Sequence, residues 1–381
     1  MIDGALVARV RAEVASGLDP SAMLALYADP ARRITLRDRV RVAVRGGLSD
    51  QEIEALCAEL FGFGPLQALL DDPEVTDVLV NGPGEVYVER SGRLERVPVR
   101  FRDIAAVSEL AHRIAAGVGR ELTIERPFVD ARMRDGSRAN AVIAPVGGPS
   151  LSIRKFRRVS IPLRGAPSSW ESTGGLAPVA AELLARAVVA RANILVAGAT
   201  GTGKSTLLRS LAAEIPSTER LVVIEDTGEL VLPHEHVVRL ECVPGRDGGV
   251  AVAELVVNAL RMRPDRIIVG EVRSPREASA LLESLSTGHD GSLTTLHAGS
   301  ARGAVDRLEL LLARSGDVVP DAIARYVARA IDLVVHVARS IDGRRAVREV
   351  VALEDDGPRA LWRAGDSSLR ARPSRLAERL P

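Results

Sequence analysis

Nine consecutive residues carry the plainest chemistry of the chain: Gly198, Ala199, Thr200, Gly201, Thr202, Gly203, Lys204, Ser205 and Thr206. Gly198, Gly203, Lys204 and Ser205 fit the spacing G-x-x-x-x-G-K-[ST], in which a glycine-rich backbone wraps phosphate oxygens in N–H groups. The lysine adds a compact ammonium beside the outer phosphates, and the Ser205 hydroxyl is of the kind that holds Mg2+. Composition singles out Lys204 as well. Of the 51 basic residues only Lys155 and Lys204 are lysines. A chain that uses arginine almost everywhere keeps a point charge where a tight phosphate nest needs one.

Phosphoryl transfer also needs a metal and a group that orients the attacking water. Two acidic stretches can supply both. In Ile224-Glu-Asp-Thr-Gly-Glu-Leu230 the carboxylates Glu225, Asp226 and Glu229 follow an apolar run, where ligand sites of α/β sheets lie. In Arg266-Ile-Ile-Val-Gly-Glu-Val-Arg273, a Walker-B-like strand, Gly270 occupies the usual aspartate place and Glu271 follows it. The expected division is one carboxylate near Mg2+, directly or through a water, and the other near the attacking water. A charge ending so apolar a run costs burial unless it is paired, which argues for a role at Glu271. The segment 287–298 adds His289 and His297, whose neutral imidazoles can sense a γ-phosphate or link strand ends. On one straight strand they would share a face, but Gly291 bends the chain between them. No Cys/His/carboxylate set has the ligand spacing of zinc.

These residues require a scaffold. Residues 193–197 read as a buried strand entering the loop, and Leu207, Leu208, Leu211, Ala212 and Ile215 recur at helical spacing after it. Strands at 193–197, 220–225, 266–269, 292–296 and 332–337, mostly separated by helical or loop segments, give an α/β fold with a parallel-rich sheet. Ahead of it, period-two runs from Thr76 to Val99 predict a small antiparallel sheet, and a helix from Ile104 to Ala116 with further strands completes an α+β domain. The expected organisation is a helical segment over 1–57, with Ser49 or Asp50 capping one helix, then an α+β domain over 58–156. A linker over 157–175, a P-loop domain over 176–355 and a loosely packed tail over 356–381 follow.

A length of 381 residues suits two domains. A net charge of +1 gives no global case for attraction to nucleic acid or to a membrane surface. Cys57 and Cys242 form no C-x-x-C pair and read as reduced, buried small residues. Glu182, Arg186 and Arg191 break the longest apolar stretch, and the first residues lack a basic, then apolar, leader pattern. The expectation is a cytoplasmic protein that meets the inner face of a membrane through partners.

The motifs, taken in order, resemble the type II/type IV secretion ATPase superfamily, most closely its tight-adherence (Flp) pilus branch and conjugation-associated relatives. The resemblance spans about residues 58–340. It rests on Phe63-Gly-Pro-Leu66, Thr76-Asp-Val-Leu-Val-Asn-Gly-Pro83, Val86-Tyr-Val-Glu-Arg90, Asp135-Gly-Ser-Arg138 and Ser152-Ile-Arg-Lys-Phe156. The phosphate loop, the 225–229 acidic box, the 258–273 stretch and Thr287-Gly-His-Asp-Gly-Ser292 complete it. It implies a homohexamer whose subunits pair a mobile sensor-like amino-terminal domain with a RecA-like motor domain, using ATP and Mg2+ and acting on an inner-membrane platform protein. It further implies that Glu229 is the catalytic glutamate, Glu271 the Walker B residue, and His289 and His297 the histidine box. Arg132, Arg138 and Arg154 are implied as phosphate-contacting arginines. Lys155 sits beside them, where the family places nucleotide-facing basic residues. Gly299 stands where the histidine box usually has asparagine, and Thr227-Gly228 separates the acids of the acidic box.

The expected function is therefore an ATP-hydrolysing motor for pilus assembly or secretion. One alternative is a DNA-transfer motor of conjugation, which calls for salt-sensitive DNA binding that the near-neutral charge does not favour. Another is a slow-hydrolysing nucleotide-dependent assembly switch, against which Glu229 and Glu271 argue. A metabolite kinase has no use for the amino-terminal sheet domain or the histidine box.

Overall fold

The computed structural model describes residues 4–15, 18, 20–90, 92–133, 135–156, 161–243, 249–340, 343–371, 373 and 376. The chain divides into two compact units, Met1–Arg157 and Arg158–Pro381.

The first unit begins with α1 (Gly4–Val14), α2 (Pro20–Ala28), α3 (Pro30–Val44) and α4 (Asp50–Phe61). The Asp29 carboxylate caps α3 just ahead of Pro30, whose missing N–H costs nothing in a first turn. Ser49, rather than Asp50, caps α4: its hydroxyl accepts from the Glu52 N–H while the Glu52 carboxylate accepts from the Ser49 N–H. The face of α4 bearing Ile53, Leu56, Cys57 and Leu60 is buried among these helices. A 3₁₀ turn over Gly64–Leu66 and α5 (Gln67–Asp71) lead into β1 (Val75–Val80), β2 (Val86–Arg90) and β3 (Arg93–Val97). Then come α6 (Ile104–Gly117), β4 (Phe128–Arg132), β5 (Arg138–Val142) and β6 (Ser150–Arg154).

These six strands form one sheet in the order β3-β2-β1-β6-β5-β4, with each pair antiparallel. Alternate residues such as Val78, Leu151 and Ile153 share an apolar core with Val107, Leu110 and Ile114 of α6. The residues between them lie on the opposite face of the sheet.

The second unit runs α7 (Pro178–Val189), β7 (Ile194–Gly198), α8 (Lys204–Ala212), β8 (Leu221–Glu225), β9 (Val237–Glu241), α9 (Val252–Ala259) and β10 (Arg266–Val272). It continues through α10 (Pro275–Ser286), β11 (Leu293–His297), α11 (Ala301–Ser315), α12 (Pro320–Ala330), β12 (Leu333–Arg339), β13 (Arg345–Glu354) and β14 (Gly357–Arg363). The eight strands lie in the order β14-β13-β12-β7-β11-β10-β8-β9. From β12 to β9 the pairing is parallel, and β13 and β14 add an antiparallel edge. One apolar core, including residues of α7 and α8, covers one face; another, drawing on α9 to α12, covers the other. Strands covered on both faces read as continuous apolar runs, which is why β7, β8 and β10 were legible. All five strands expected in this region form. The edge strand β9 was not expected, because its Val, Arg, Leu and Glu residues alternate over a half-exposed surface.

Two expectations about the connections are corrected. Residues 157–160 lie outside the described residues, but 161–176 are a packed strap rather than a free linker. Leu163, Trp170 and Leu176 are buried in the second unit's core, and the Trp170 indole N–H donates to Ser210 Oγ on α8 at 2.9 Å. The 356–381 tail is not loosely packed through its described part. Residues 357–363 form β14, and Leu361, Trp362 and Leu376 are buried. Their apolar side chains outweigh the Arg, Pro and Ser around them. Cys57 is fully enclosed, whereas Cys242 is half exposed. Among the described residues no single helix is long and apolar enough to cross a membrane.

Candidate functional site

Parallel pairing brings the carboxyl ends of β7, β8, β10 and β11 to one edge of the sheet, where ligands bind in folds of this class. The phosphate loop leaves β7 there. A Cβ on Gly198 would sit 2.5 Å from both the Thr202 hydroxyl and the Val337 carbonyl, so only glycine permits this approach. Gly201 and Gly203 take left-handed φ values of 73° and 100°. Gly203 caps α8 with no side-chain acceptor, leaving the first-turn N–H groups for an anion. Buried Leu207, Leu208 and Leu211 anchor α8 to the sheet. The Lys204 side chain is only 10% exposed; its ammonium donates to the Ala199 carbonyl at 3.2 Å and lies 3.9 Å from Glu271 Oε1.

Glu271 owes its place to a bulge. Between the pairs Val269–Thr294 and Val272–Leu296, Gly270 and Glu271 of β10 oppose Thr295 alone. The extra residue re-aims the side chain, as bulges beside functional sites do. The Thr295 hydroxyl donates to the Gly270 carbonyl at 2.8 Å and holds the distortion. A Cβ on Gly270 would come within 3.0 Å of Glu225 Cγ, which accounts for glycine in the usual aspartate place. Arg273 extends the cluster outward, bonding Glu271 and Asp226 at 2.9 Å each.

The three acids of the acidic box therefore differ in kind. Glu225 is buried and spends its carboxylate on the chain itself, accepting N–H bonds from Glu229 at 2.8 Å and from Leu230 at 3.0 Å. Burial raises its pKa against the pull of those two N–H groups. Glu225 folds the loop that presents Glu229. Arg209, one turn into α8, has its pKa lowered by burial, opposed by the charges of Glu229 and Glu225.

The two histidines are separated, not gathered. His297 ends β11 and pairs with Gly198, the first residue of the phosphate loop. His289 precedes β11 at the opposite edge of the sheet, where the N–H groups of Gly291 and Ser292 donate to Asn193 Oδ1. Gly291 makes that bend because a Cβ would sit 2.6 Å from Nη1 of the fully buried Arg266. Arg266 bonds Glu219 through Nε at 2.8 Å and Nη2 at 3.0 Å. This edge is a structural lock.

In the first unit, Arg132 pairs with Arg138 and Arg138 with Arg154, so the three arginines form one row across β4, β5 and β6. Asp77 and then Glu89 continue the row. Like charges directly opposed on a sheet oppose folding, and at one end of the row Asp77 stands opposite Arg154 with the compensating charge. The Lys155 ammonium donates to the Asp72 carbonyl at 2.5 Å and its N–H to the Thr76 carbonyl at 2.8 Å. It ties β6 to the segment before β1.

Reasoning from sequence missed Thr295, Arg209, Arg273 and Arg339, whose Nη2 donates to the Gly201 carbonyl at 3.1 Å. It also passed over His336, placed beside Ala197 on β12, whose pKa is lowered by burial. Only the acidic charge of the 225–229 loop hinted that basic partners would be needed. Among the described residues no three His, Cys, Asp or Glu side chains gather as cation ligands. Ser205 at the start of α8 and Glu271 beside Lys204 instead suit a cation shared with phosphate oxygens.

Known proteins share much of this sequence. A Mycobacterium tuberculosis protein named for conjugal transfer is 39% identical over 322 residues, covering 80% of this chain and 90% of that protein. The type IV secretion system protein VirB11 of Brucella suis is 35% identical over 321 residues, covering 76% and 89%. The solved structure of the Legionella pneumophila ATPase DotB shares the fold, with a TM-score of 0.55, 22% identity and coverage of 76% and 79%. The family model for type II/IV secretion system proteins matches residues 59–371, which takes in the arginine row, the phosphate loop, the bulged Glu271 and His297. The chain thus belongs to the type II/IV secretion system protein family, as a nucleotide-binding member whose phosphate loop and acidic strand ends share one sheet edge.

Proposed function

We propose that the chain hydrolyses ATP with Mg2+ as the motor of a pilus-assembly or type II/IV-type secretion system. It works as a homohexamer in the cytoplasm, at the inner face of the membrane, against an inner-membrane platform protein. The observation that carries this reading is the bulge that sets Glu271 3.9 Å from Lys204, beside an uncapped helix N-terminus.

Each side chain then has a task. The α8 N–H groups and the Lys204 ammonium bind the phosphates, with Lys204 exchanging the Ala199 carbonyl for outer phosphate oxygens. Ser205 and Glu271, the latter through a water, hold Mg2+, which when bound neutralises charge on the phosphate oxygens. Glu229, on the loop that Glu225 folds, orients the attacking water and takes its proton. His297, next to the loop, answers to the γ-phosphate. Arg132, Arg138 and Arg154 contact phosphate with fork-shaped donors. His289 is left out of this set and acts at the other edge of the sheet.

The DNA-transfer reading is supported by relatives named for conjugal transfer and opposed by a net charge of +1. Sizing the purified chain with and without ATP, with hydrolysis and DNA retention measured on the same sample, tests the proposal. A hydrolysing ring that does not retain DNA is expected; an inert monomer overturns the motor, and tight salt-sensitive DNA retention moves the assignment to DNA transfer.

A further inference from the structure

The hairpin formed by β12 and β13 places Arg339 opposite Arg345. β12 is bonded in parallel register to β7, so the hairpin rises beside the phosphate loop. Arg339 Nη2 donates to the Gly201 carbonyl at 3.1 Å. The Arg345 stem lies against Gly203, its Cδ 3.2 Å from where a Cβ would be, and the Trp170 ring backs the same glycine at 3.5 Å. Gly201 and Gly203 are the two loop residues with left-handed φ, so the contacts fall where the backbone reverses.

We propose that Arg339 is a positioning residue for the nucleotide, acting through the loop backbone. The inference rests on the nucleotide-site reading above. A phosphate nest works only while its N–H groups converge and no carbonyl oxygen turns in among them. With φ at 73° and no Cβ, Gly201 leaves the peptide after it free to rotate. The Arg339 guanidinium holds that carbonyl toward β12 with a charge-assisted bond, worth roughly twice a neutral one. The loop is thereby kept receptive to an anion before one arrives, and nucleotide binding need not include the cost of ordering it.

The test is titration of the full-length protein with a fluorescent ADP, alongside KM and kcat for ATP. Arg339→Ala is expected to weaken ADP binding about tenfold and to raise KM similarly, with kcat held within about twofold. Arg339→Lys, which keeps a charged donor of similar reach, is expected to restore most of the affinity. Arg348→Ala is the control, because Arg348 bonds Ser340 Oγ within the same hairpin. It is expected to bind ADP as the unmodified protein does. Undiminished affinity in Arg339→Ala overturns the proposal, as does an equal loss in Arg348→Ala or a failure of Arg339→Lys to rescue. An unmodified protein that binds neither ADP nor ATP overturns the nucleotide site itself, and this inference with it.

Discussion

His289→Ala and His297→Ala separate the two edges of the sheet. His297 pairs with Gly198, so it stands one strand spacing, about 4.8 Å, from the start of the phosphate loop. The turn after His289 is bonded to Asn193, at the far end of β7. At about 3.3 Å per residue, β7 puts roughly 16 Å between Asn193 and Gly198. That exceeds the Debye length of about 8 Å at physiological salt, so a half-buried imidazole there has little leverage on charge at the loop. A hydrogen bond from His297 to developing phosphate charge is worth about 1.5–3 kcal/mol. His297→Ala should therefore slow steady-state ATP hydrolysis by the assembled protein about 10- to 100-fold. His289→Ala should stay within about twofold, with melting temperatures recorded for both. A tenfold or greater loss in His289→Ala at unchanged melting temperature refutes the separation of the edges, and so does an unaffected His297→Ala.

Two further predictions concern the scaffold. Arg266→Met removes the bidentate partner of Glu219 and should cost about 3 kcal/mol in urea unfolding, while Gly291→Ala, forced into left-handed φ against Arg266, should cost about 2 kcal/mol. The double variant should lose about 1 kcal/mol less than the sum, because removing Arg266 removes the clash; strict additivity contradicts that geometry. For Glu225, burial raises the folded pKa above the unfolded value of about 4.3, so its contribution is fully present below that value and is lost as pH rises through the folded one. Glu225→Gln has no such loss, and its stability relative to the unmodified protein should improve between about pH 4 and pH 7. A relative stability that falls over that range shows the two N–H bonds outweighing burial.

The parts of the site that were legible in sequence are those made by local backbone chemistry. The 198–206 loop needs only glycines, a lysine and a hydroxyl in register, and the strands around it are apolar because both faces are covered. The parts that were not legible depend on a partner far along the chain. Gly270 looked like a missing aspartate until Glu225 was found filling the space beside it. Gly291 looked like a bend in a histidine strand, but its reason is the Arg266 guanidinium. Arg339 reaches Gly201 across 138 residues, with no motif to mark it. In the tail, composition averaged Trp362 and Leu376 into a polar background, although each is buried. Lys155, singled out by its rarity and by its place beside the arginines, bonds the Asp72 carbonyl of the first unit, a partner that no motif marks.

The central claim is that Glu229 and Glu271 turn a phosphate-binding loop into a hydrolytic site. Its most direct test is one assay on three purified proteins: the unmodified chain, Glu229→Gln and Glu271→Gln, each measured for fluorescent ADP binding and for steady-state release of phosphate from ATP with Mg2+. Both variants should keep ADP affinity within a few-fold while hydrolysis falls about a hundredfold or more. Phosphate release that continues at the unmodified rate in either variant contradicts the role assigned to that carboxylate, and in both it contradicts the motor.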